Sequence, residues 1–152
     1  GTAVEGLTLG VVGLGKLGAR VAKVGAAFGM KVVAWSQNLT PEKAAAAGAT
    51  AVTKEELFAA ADVVTLHLVL SERSRGIVGA AELARMKRTA VIVNTSRGPL
   101  IDQDALVAAL TEGRIGGAGL DVFDQEPLPP DHPLLACPNT VLTPHLGYVS
   151  TQ

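Results

Sequence analysis

The sequence predicts an α/β protein: a single domain built on a doubly wound parallel sheet. Short apolar segments alternate with segments of helical periodicity along the whole chain. Hydrophobic residues make up 48% of the 152 residues but aromatic ones only 3%, which suits an aliphatic core between a parallel sheet and its helices. The first apolar segment also runs into a cluster of glycines, as strand-to-helix turns in such sheets often do.

The glycine cluster has the spacing G-x-G-x-x-G, formed by Gly13, Gly15 and Gly18. A predicted strand, Leu7–Val12, precedes it, and a predicted helix over Ala19–Phe28 follows. In this context Gly13 allows a tight turn, Gly15 lets a pyrophosphate approach the backbone, and Gly18 lets the helix pack closely on the strand. The pattern predicts a dinucleotide-binding turn in a Rossmann-type domain. The apolar positions of the predicted helix are Val21, Ala22, Val24, Ala26 and Phe28.

Six further strands follow from short runs of aliphatic and β-branched residues. They are Lys31–Trp35, Ala51–Val52, Asp62–Leu68, Ala90–Asn94, Gly117–Val122 and Val141–Thr143. The helices predicted between them cover Lys43–Ala47, Lys54–Ala60, Ala80–Met86 and Asp102–Leu110.

Helix starts and loops are marked by particular residues. Thr40 and Pro41 are typical of a helix N-cap and first position. Thr53, with Glu56 three residues later, predicts a capping box. The segment Ser71–Val78 is predicted to be a loop or a short helix, and the proline-rich segment Phe123–Pro138 a loop without regular structure.

Charge and composition exclude several kinds of function. With 13 basic and 14 acidic residues the net charge is −1, so we expect neither a nucleic-acid surface nor a membrane-binding face. The single cysteine, Cys137, permits no internal disulfide and no cysteine zinc cluster, and we expect no metal site. No apolar run reaches the roughly 18 residues of a membrane span, and no signal peptide opens the chain. We therefore expect a cytoplasmic protein.

Polar residues stand where five of the predicted strands end. They are Ser36, His67, the segment Thr95–Arg97, Asp121 and His145. Because ligands of open α/β sheets bind outside the carboxyl ends of the strands, all five fall on the predicted ligand edge, beside the glycine turn.

Ser36 stands near the position at which an NAD site usually has an acidic residue that binds the adenosine ribose. The chain has Ser36, Gln37 and Asn38 instead, which bind hydroxyls without repelling a 2′-phosphate. No arginine stands here to bind that phosphate. The sequence therefore allows either NAD or NADP as the cofactor, with NAD favoured. Alternatively, Ser36 and Asn38 are only turn residues.

Three residues are candidates for the chemistry. Arg97 offers a planar fork for a carboxylate, or else pairs on the surface with Asp102 or Asp104. His145 is a candidate general acid or base, and Glu126 a carboxylate that could orient it, although the sequence does not show that the two meet.

Two other histidines are weaker candidates. His67 is predicted to pack near the cofactor at a strand end, and His132 to be a loop residue.

The chain resembles the nucleotide-binding domain of the D-isomer-specific 2-hydroxyacid dehydrogenases. Four motifs carry the resemblance, in the family's order: LGVVGLGKLG at Leu9–Gly18, VNTSRGPLID at Val93–Asp102, GLDVFDQEP at Gly119–Pro127 and TPHLG at Thr143–Gly147. The resemblance implies a nicotinamide-dependent oxidoreductase that transfers a hydride between NAD(P) and a small 2-hydroxy or 2-keto acid.

The resemblance also implies roles for individual residues. Arg97 binds the substrate carboxylate and carbonyl, His145 donates a proton to that carbonyl, and Glu126 pairs with the histidine. Asp121 matches an aspartate near the nicotinamide. The implied cofactor-lining residues are Gly13, Gly15, Lys16, Leu17, Gly18, Ser36, Leu68, Thr95, Ser96, Arg97, Asp121, His145 and Gly147.

The chain departs from the family pattern in two places. Ser36 replaces an acidic residue that NAD-using members generally have. In HLVLSERSRG, Val69 stands where a proline is common, and Arg73 and Arg75 where small polar residues are common. These arginines either touch a phosphate or are solvated, and solvation is favoured.

The family's substrate domain is assembled from both chain ends, and neither end is present. Residues 1–152 are therefore expected to be an excised dinucleotide-binding domain that turns over poorly by itself. The resemblance also implies a homodimer formed through this domain.

Two alternatives remain. Non-catalytic, corepressor-like NAD sensors share the family's resemblance. A short-chain dehydrogenase needs a Tyr-x-x-x-Lys pair, whereas the only tyrosine, Tyr148, is followed four residues later by Gln152.

Overall fold

The computed structural model describes residues 1–150, and it confirms the predicted doubly wound sheet. In this described part of the chain, seven parallel strands lie in the order β3-β2-β1-β4-β5-β6-β7. The predicted domain reaches Gln152, but Thr151 and Gln152 lie outside the described residues. The strands are β1 Thr8–Val12, β2 Lys31–Trp35, β3 Thr50–Ala51, β4 Val63–Leu66, β5 Val91–Asn94, β6 Gly117–Leu120 and β7 Thr140–Leu142.

The strand order reverses between β1 and β4. The chain winds outward from β1 to β3 on one side and from β4 to β7 on the other. Such a switch point opens a crevice at the carboxyl ends of the strands. The polar residues predicted at strand ends follow these strands directly or within a few residues, so they lie along this crevice.

Within residues 1–150, five α-helices cover the sheet. They are α1 Lys16–Ala27, α2 Pro41–Ala46, α3 Lys54–Ala60, α4 Ala80–Arg85 and α5 Gln103–Thr111. The predicted capping box of α3 is present, with the Thr53 hydroxyl accepting from the Glu56 amide and a Glu56 carboxylate oxygen accepting from the Thr53 amide. No helix among residues 1–150 combines the length and the apolar character needed to cross a membrane.

Helix α1 starts earlier than predicted, and most of its larger apolar residues are not buried. It begins at Lys16, one turn earlier than predicted, because Gly15 serves as its N-cap. Its buried residues are Gly18, Ala22 and Gly25, while Val24 and Phe28 are 56% and 64% exposed and Ala26 is also exposed. A Cβ on Gly25 would lie 2.5 Å from Leu9 Cδ2. Small residues, not the larger apolar ones, therefore form the contact between this helix and the sheet.

The loops also differ in part. The segment Phe123–Pro138 contains a 3₁₀ turn over Pro133–Ala136, so the prediction of no regular structure is wrong there. A proline at the first position and the His132 Nδ1 that accepts from the Leu134 amide favour this turn. A second 3₁₀ turn covers Gly98–Leu100, and Ser71–Val78 is a loop of turns.

Candidate cofactor and active site

Two clefts lie side by side along the carboxyl edge of the sheet. The β2 cleft, of about 450 Å³, is lined by the glycine turn, the segment Ser36–Leu39 and Arg73. The β6 cleft, of about 650 Å³, is lined by Thr95–Arg97, Asp121 and His145. The segment 67–69 lines both clefts and forms the wall between them.

The glycine turn leaves open space where a ligand backbone could lie. Gly13 has φ +95, and a Cβ there would lie 2.7 Å from the His67 carbonyl oxygen. A Cβ on Gly18 would lie 1.9 Å from the Gly13 oxygen, so these two glycines are required by the fold. A Cβ on Gly15 would meet nothing within 4 Å, in a helix start that has neither a side-chain cap nor an acidic first turn.

The segment after β2 is held beside the glycine turn. The Gly13 amide donates to the Trp35 carbonyl at 2.8 Å, and the Leu39 amide closes a turn onto the Ser36 carbonyl at 3.1 Å. Ser36 is half-buried, while Gln37 and Asn38 are exposed. Lys43, in the first turn of α2, lines the same cleft. It was not predicted as a site residue, although it follows the predicted ligand segment closely along the chain.

The loop after β4 separates its two arginines. Ser74 is buried between them; its hydroxyl donates to the Val69 carbonyl at 2.7 Å and accepts from the Ser71 amide at 2.8 Å. Arg73 lines the β2 cleft, whereas Arg75 lines a different cleft with Asp124. Burial raises the pKa of Asp124, and the charge of Arg75 partly opposes that rise.

The segment after β5 is ordered by a buried asparagine. Asn94 is 1% exposed; its Nδ2 donates to the Arg97 carbonyl and its Oδ1 accepts from the Ser96 amide. The Ser96 hydroxyl donates to the Leu68 carbonyl at 2.8 Å, which joins this segment to the wall between the clefts. Thr95 is exposed at the same edge.

Arg97 is exposed in the β6 cleft, where its Nη1 donates to the Ser96 carbonyl. No ion pair of Arg97 with Asp102 or Asp104 exists within residues 1–150; Asp102 instead caps α5 by accepting from the Ala105 amide. The guanidinium is therefore available to a ligand.

Glu126 and His145 do meet. Glu126 Oε2 lies 2.7 Å from His145 Nδ1, and Glu126 Oε1 accepts from the Phe123 amide at 3.0 Å. The hydrogen bond to His145 is the main cause that lowers the pKa of Glu126 below its usual 4.5. Because a carboxylate only accepts, we assign the proton to Nδ1, which leaves Nε2 for a ligand.

Asp121 holds the loop that carries His145. It is 5% exposed; its Oδ1 accepts from the Thr143 hydroxyl at 2.5 Å and the Leu146 amide at 2.8 Å, and its Oδ2 from the Gly147 amide at 2.8 Å. Burial raises the pKa of Asp121, but these hydrogen bonds outweigh it and the net pKa lies below the usual 3.8. Between the anchored residues, His145 takes φ 57, in the left-handed region.

The other predicted residues also lie along this edge. Leu68 belongs to the shared wall, Leu17 and Gly147 line the β6 cleft, and Lys16 is exposed in the first turn of α1. Arg20, one helical turn after Lys16, also lines the β6 cleft, but it was not predicted as a site residue. Its spacing of four residues from Lys16 puts both on one face of the helix, which could have indicated it.

Of the other candidate residues, His67 lines both clefts, whereas His132 and Glu126 lie outside the β6 cleft. His67 lies in the shared wall, with Nε2 2.9 Å from the Thr65 hydroxyl, and burial lowers its pKa. His132 contacts Gln103 Nε2 at 2.8 Å and caps a 3₁₀ turn. Glu126 lines a third cleft of about 550 Å³, and His145 lines both that cleft and the β6 cleft.

No group of three or more His, Cys, Asp or Glu side chains suited to a metal ion occurs within residues 1–150.

Comparisons with known proteins agree with this geometry. Residues 1–147 match the family model of the D-isomer specific 2-hydroxyacid dehydrogenase, NAD binding domain. The chain is 46% identical over 152 residues to a glyoxylate reductase of Aeropyrum pernix, covering all of this chain and 45% of that protein.

Solved structures are similar over nearly the whole chain. A phosphoglycerate oxidoreductase from Vibrio cholerae o395 is 43% identical with a TM-score of 0.92, covering 99% of this chain and 48% of that one. A D-lactate dehydrogenase with NAD+ from Lactobacillus jensenii is 31% identical with a TM-score of 0.89, covering 98% of this chain and 48% of that one. The chain thus spans about half the length of these relatives.

Proposed function

The chain belongs to the D-isomer-specific 2-hydroxyacid dehydrogenase family, in its NAD-binding domain, and we propose that it is the cofactor-binding half of a two-domain oxidoreductase. The reaction proposed is hydride transfer between a nicotinamide dinucleotide and a small D-2-hydroxy or 2-keto acid. Relatives named glyoxylate reductase and phosphoglycerate oxidoreductase support this class of substrate.

The glycine turn fits a dinucleotide. The open space at Gly15 lies at the start of a twelve-residue helix whose first turn carries no acidic side chain. Free amides and the positive end of the helix dipole favour a pyrophosphate at such a place. We propose that the adenosine half then follows the β2 cleft and the nicotinamide half the β6 cleft, where it supplies or accepts the hydride.

Arg97 is proposed to bind the substrate carboxylate. Its guanidinium is exposed in the β6 cleft, and Asn94 orders the backbone on which it stands. A planar guanidinium can donate two parallel hydrogen bonds to a carboxylate, which orients the neighbouring carbonyl as well as binding the acid.

His145 is proposed to donate the proton that the carbonyl oxygen needs during reduction, and to remove it in the reverse direction. Glu126 accepts from Nδ1, so the ring is held with Nε2 directed away from the carboxylate. Glu126 Oε2 lies 2.7 Å from Nδ1, so the carboxylate can keep its hydrogen bond to the ring while Nε2 gives up a proton.

One observation carries the proposal: His145, whose Nδ1 is paired with Glu126, lines the same cleft as Arg97. A sensor that only binds a dinucleotide needs the glycine turn but has no use for an acid–base pair beside a carboxylate-binding group. The arrangement therefore favours an enzyme over the corepressor-like alternative.

The test measures oxidation of NADH and NADPH by the intact protein, meaning this domain together with the proposed substrate domain. The substrates are a panel of 2-keto acids, namely glyoxylate, pyruvate and a phosphorylated 2-keto acid. Turnover of at least one of them is expected. Binding of a dinucleotide without turnover of any keto acid would contradict the proposal and support a sensor.

A further inference from the structure

We propose that the β2 cleft binds a phosphate on the adenosine ribose, so that the protein prefers NADP(H) to NAD(H). This inference rests on the proposed function, which directs the adenosine half of the dinucleotide into this cleft. It reverses the preference for NAD inferred from the sequence, because that inference favoured a solvated Arg73 and did not include Lys43.

The charges that line the cleft support the proposal. Lys43 and Arg73 both line it, and none of its lining residues within 1–150 is an aspartate or a glutamate. In the part of the chain that the structure describes, neither cation belongs to a salt bridge. A ribose with two free hydroxyls is usually bound by a carboxylate, whereas a 2′-phosphate is repelled by a carboxylate and attracted by cations.

The polar groups after β2 are suited to the same ligand. The turn closed by the Leu39 amide presents the hydroxyl of Ser36 and the amides of Gln37 and Asn38 beside the glycine turn. These side chains can donate hydrogen bonds to phosphate oxygens, and none of them carries a negative charge. The segment therefore supplies donors where the two cations supply charge.

The position of Arg73 is set by the fold. The buried Ser74 ties the loop to the Val69 carbonyl and the Ser71 amide, and the two arginines beside it line different clefts. Arg73 lines the cleft with Ser36, whereas Arg75 lines the cleft with Asp124. The chain thus contains its own control: two arginines in one loop, of which only one faces the proposed ligand.

The experiment compares binding of 2′,5′-ADP and 5′-AMP, which differ only in the 2′-phosphate, to the intact protein by calorimetry, which needs no turnover. The wild type is expected to bind 2′,5′-ADP at least about tenfold more tightly, the scale of one charge-assisted phosphate contact. Arg73→Gln and Lys43→Gln should each reduce this ratio several-fold, and Arg75→Gln should leave it unchanged. The ratio should also fall as salt is raised, because these cations are exposed.

The outcomes separate the two proposals. Equal binding of the two nucleotides, or tighter binding of 5′-AMP, overturns the phosphate site while dinucleotide binding stands. Binding of neither nucleotide overturns the proposed function as well. Equal reductions of the affinity ratio in the Arg73 and Arg75 variants also overturn the inference. Such reductions would show a general electrostatic attraction of the phosphate and not a contact at Arg73.

Discussion

The β2 cleft and the β6 cleft share a wall but are built in different ways. In the β6 cleft the functional side chains are tied by hydrogen bonds between distant parts of the chain, as Asp121 is to Gly147 and Glu126 is to His145. In the β2 cleft Ser36 and Arg73 stand on local turns and Lys43 on the short helix α2, and neither cation enters a salt bridge within residues 1–150.

This difference fits the two proposed roles, which are proton transfer in the β6 cleft and choice of cofactor in the β2 cleft. The proposed proton transfer requires atoms held at fixed distances, and hydrogen bonds to the carboxylates of Asp121 and Glu126 hold His145 and its loop in place. Recognition of one group on a ribose requires only charge and donors of the correct type. We therefore expect substitutions in the β6 cleft to change rate and stability, and those in the β2 cleft to change the cofactor preference alone.

The largest effect is expected at His145. His145→Ala removes the proposed proton donor and should lower turnover of the intact protein by about 10²–10⁴-fold, the usual contribution of general acid–base catalysis. Dinucleotide binding should change little, because the glycine turn is untouched. The assay is steady-state oxidation of NAD(P)H, with His132→Ala, a histidine that caps a 3₁₀ turn, as the matched control. Unchanged turnover in His145→Ala would remove the acid–base role.

An intermediate effect is expected at Asp121. In Asp121→Asn an amide NH₂ group replaces one carboxylate oxygen and faces a group that donates a hydrogen bond to that oxygen. The buried donor is then left unpaired, which should cost about 1–3 kcal/mol of unfolding free energy. Turnover should fall too, because the loop that carries His145 loses an anchor. Urea unfolding at neutral pH measures the stability change.

The pH dependence tests the charge of Asp121. Its pKa is lowered on folding, so its contribution is complete above the usual 3.8 and is lost as pH falls through the lower folded value. The stability difference between wild type and Asp121→Asn should therefore shrink below pH 3.8. A difference that stays constant across this range would show that the carboxylate charge does not matter.

The smallest effect, confined to the β2 cleft, is expected at Ser36. Ser36→Asp should shift the ratio of NADP(H) to NAD(H) affinity toward NAD(H) by about tenfold, because the new carboxylate repels a 2′-phosphate and accepts from ribose hydroxyls. Ser36→Asn changes the shape without adding charge and should leave the ratio nearly unchanged. If Ser36→Asp has no effect on the ratio, Ser36 does not face the ribose.

The sequence predicted the elements that have local signals. The capping box at Thr53 and Glu56 marks its helix without help from the rest of the chain, and each strand is recognised from its own aliphatic run. Helix α1 was predicted, and so was the close packing at Gly18, but Gly25 carries no apolar signal and its place in the buried face was not predicted. Burial there is set by how closely the helix approaches Leu9, which is a property of the packed structure.

The candidate site shows the same division. Motifs indicated Arg97, Glu126 and His145, but the three bonds that Asp121 makes to the loop of His145 join residues more than twenty positions apart. Lys43 and Arg73 were not recognised as neighbours for the same reason, since different elements bring them to one cleft. Distance along the chain, more than residue type, limited the prediction.

Gly98 shows how a residue without a side chain can constrain how this protein evolves. A Cβ at Gly98 would lie 2.1 Å from the carbonyl carbon of Phe123, whose amide holds Glu126, so the backbones next to Arg97 and Glu126 are in direct contact. Any side chain at residue 98 must push these two segments apart. A mutational library over the loop that precedes Glu126 can vary the exposed residues 124 and 125, but it must keep glycine at 98 for its members to retain an aligned Glu126–His145 pair.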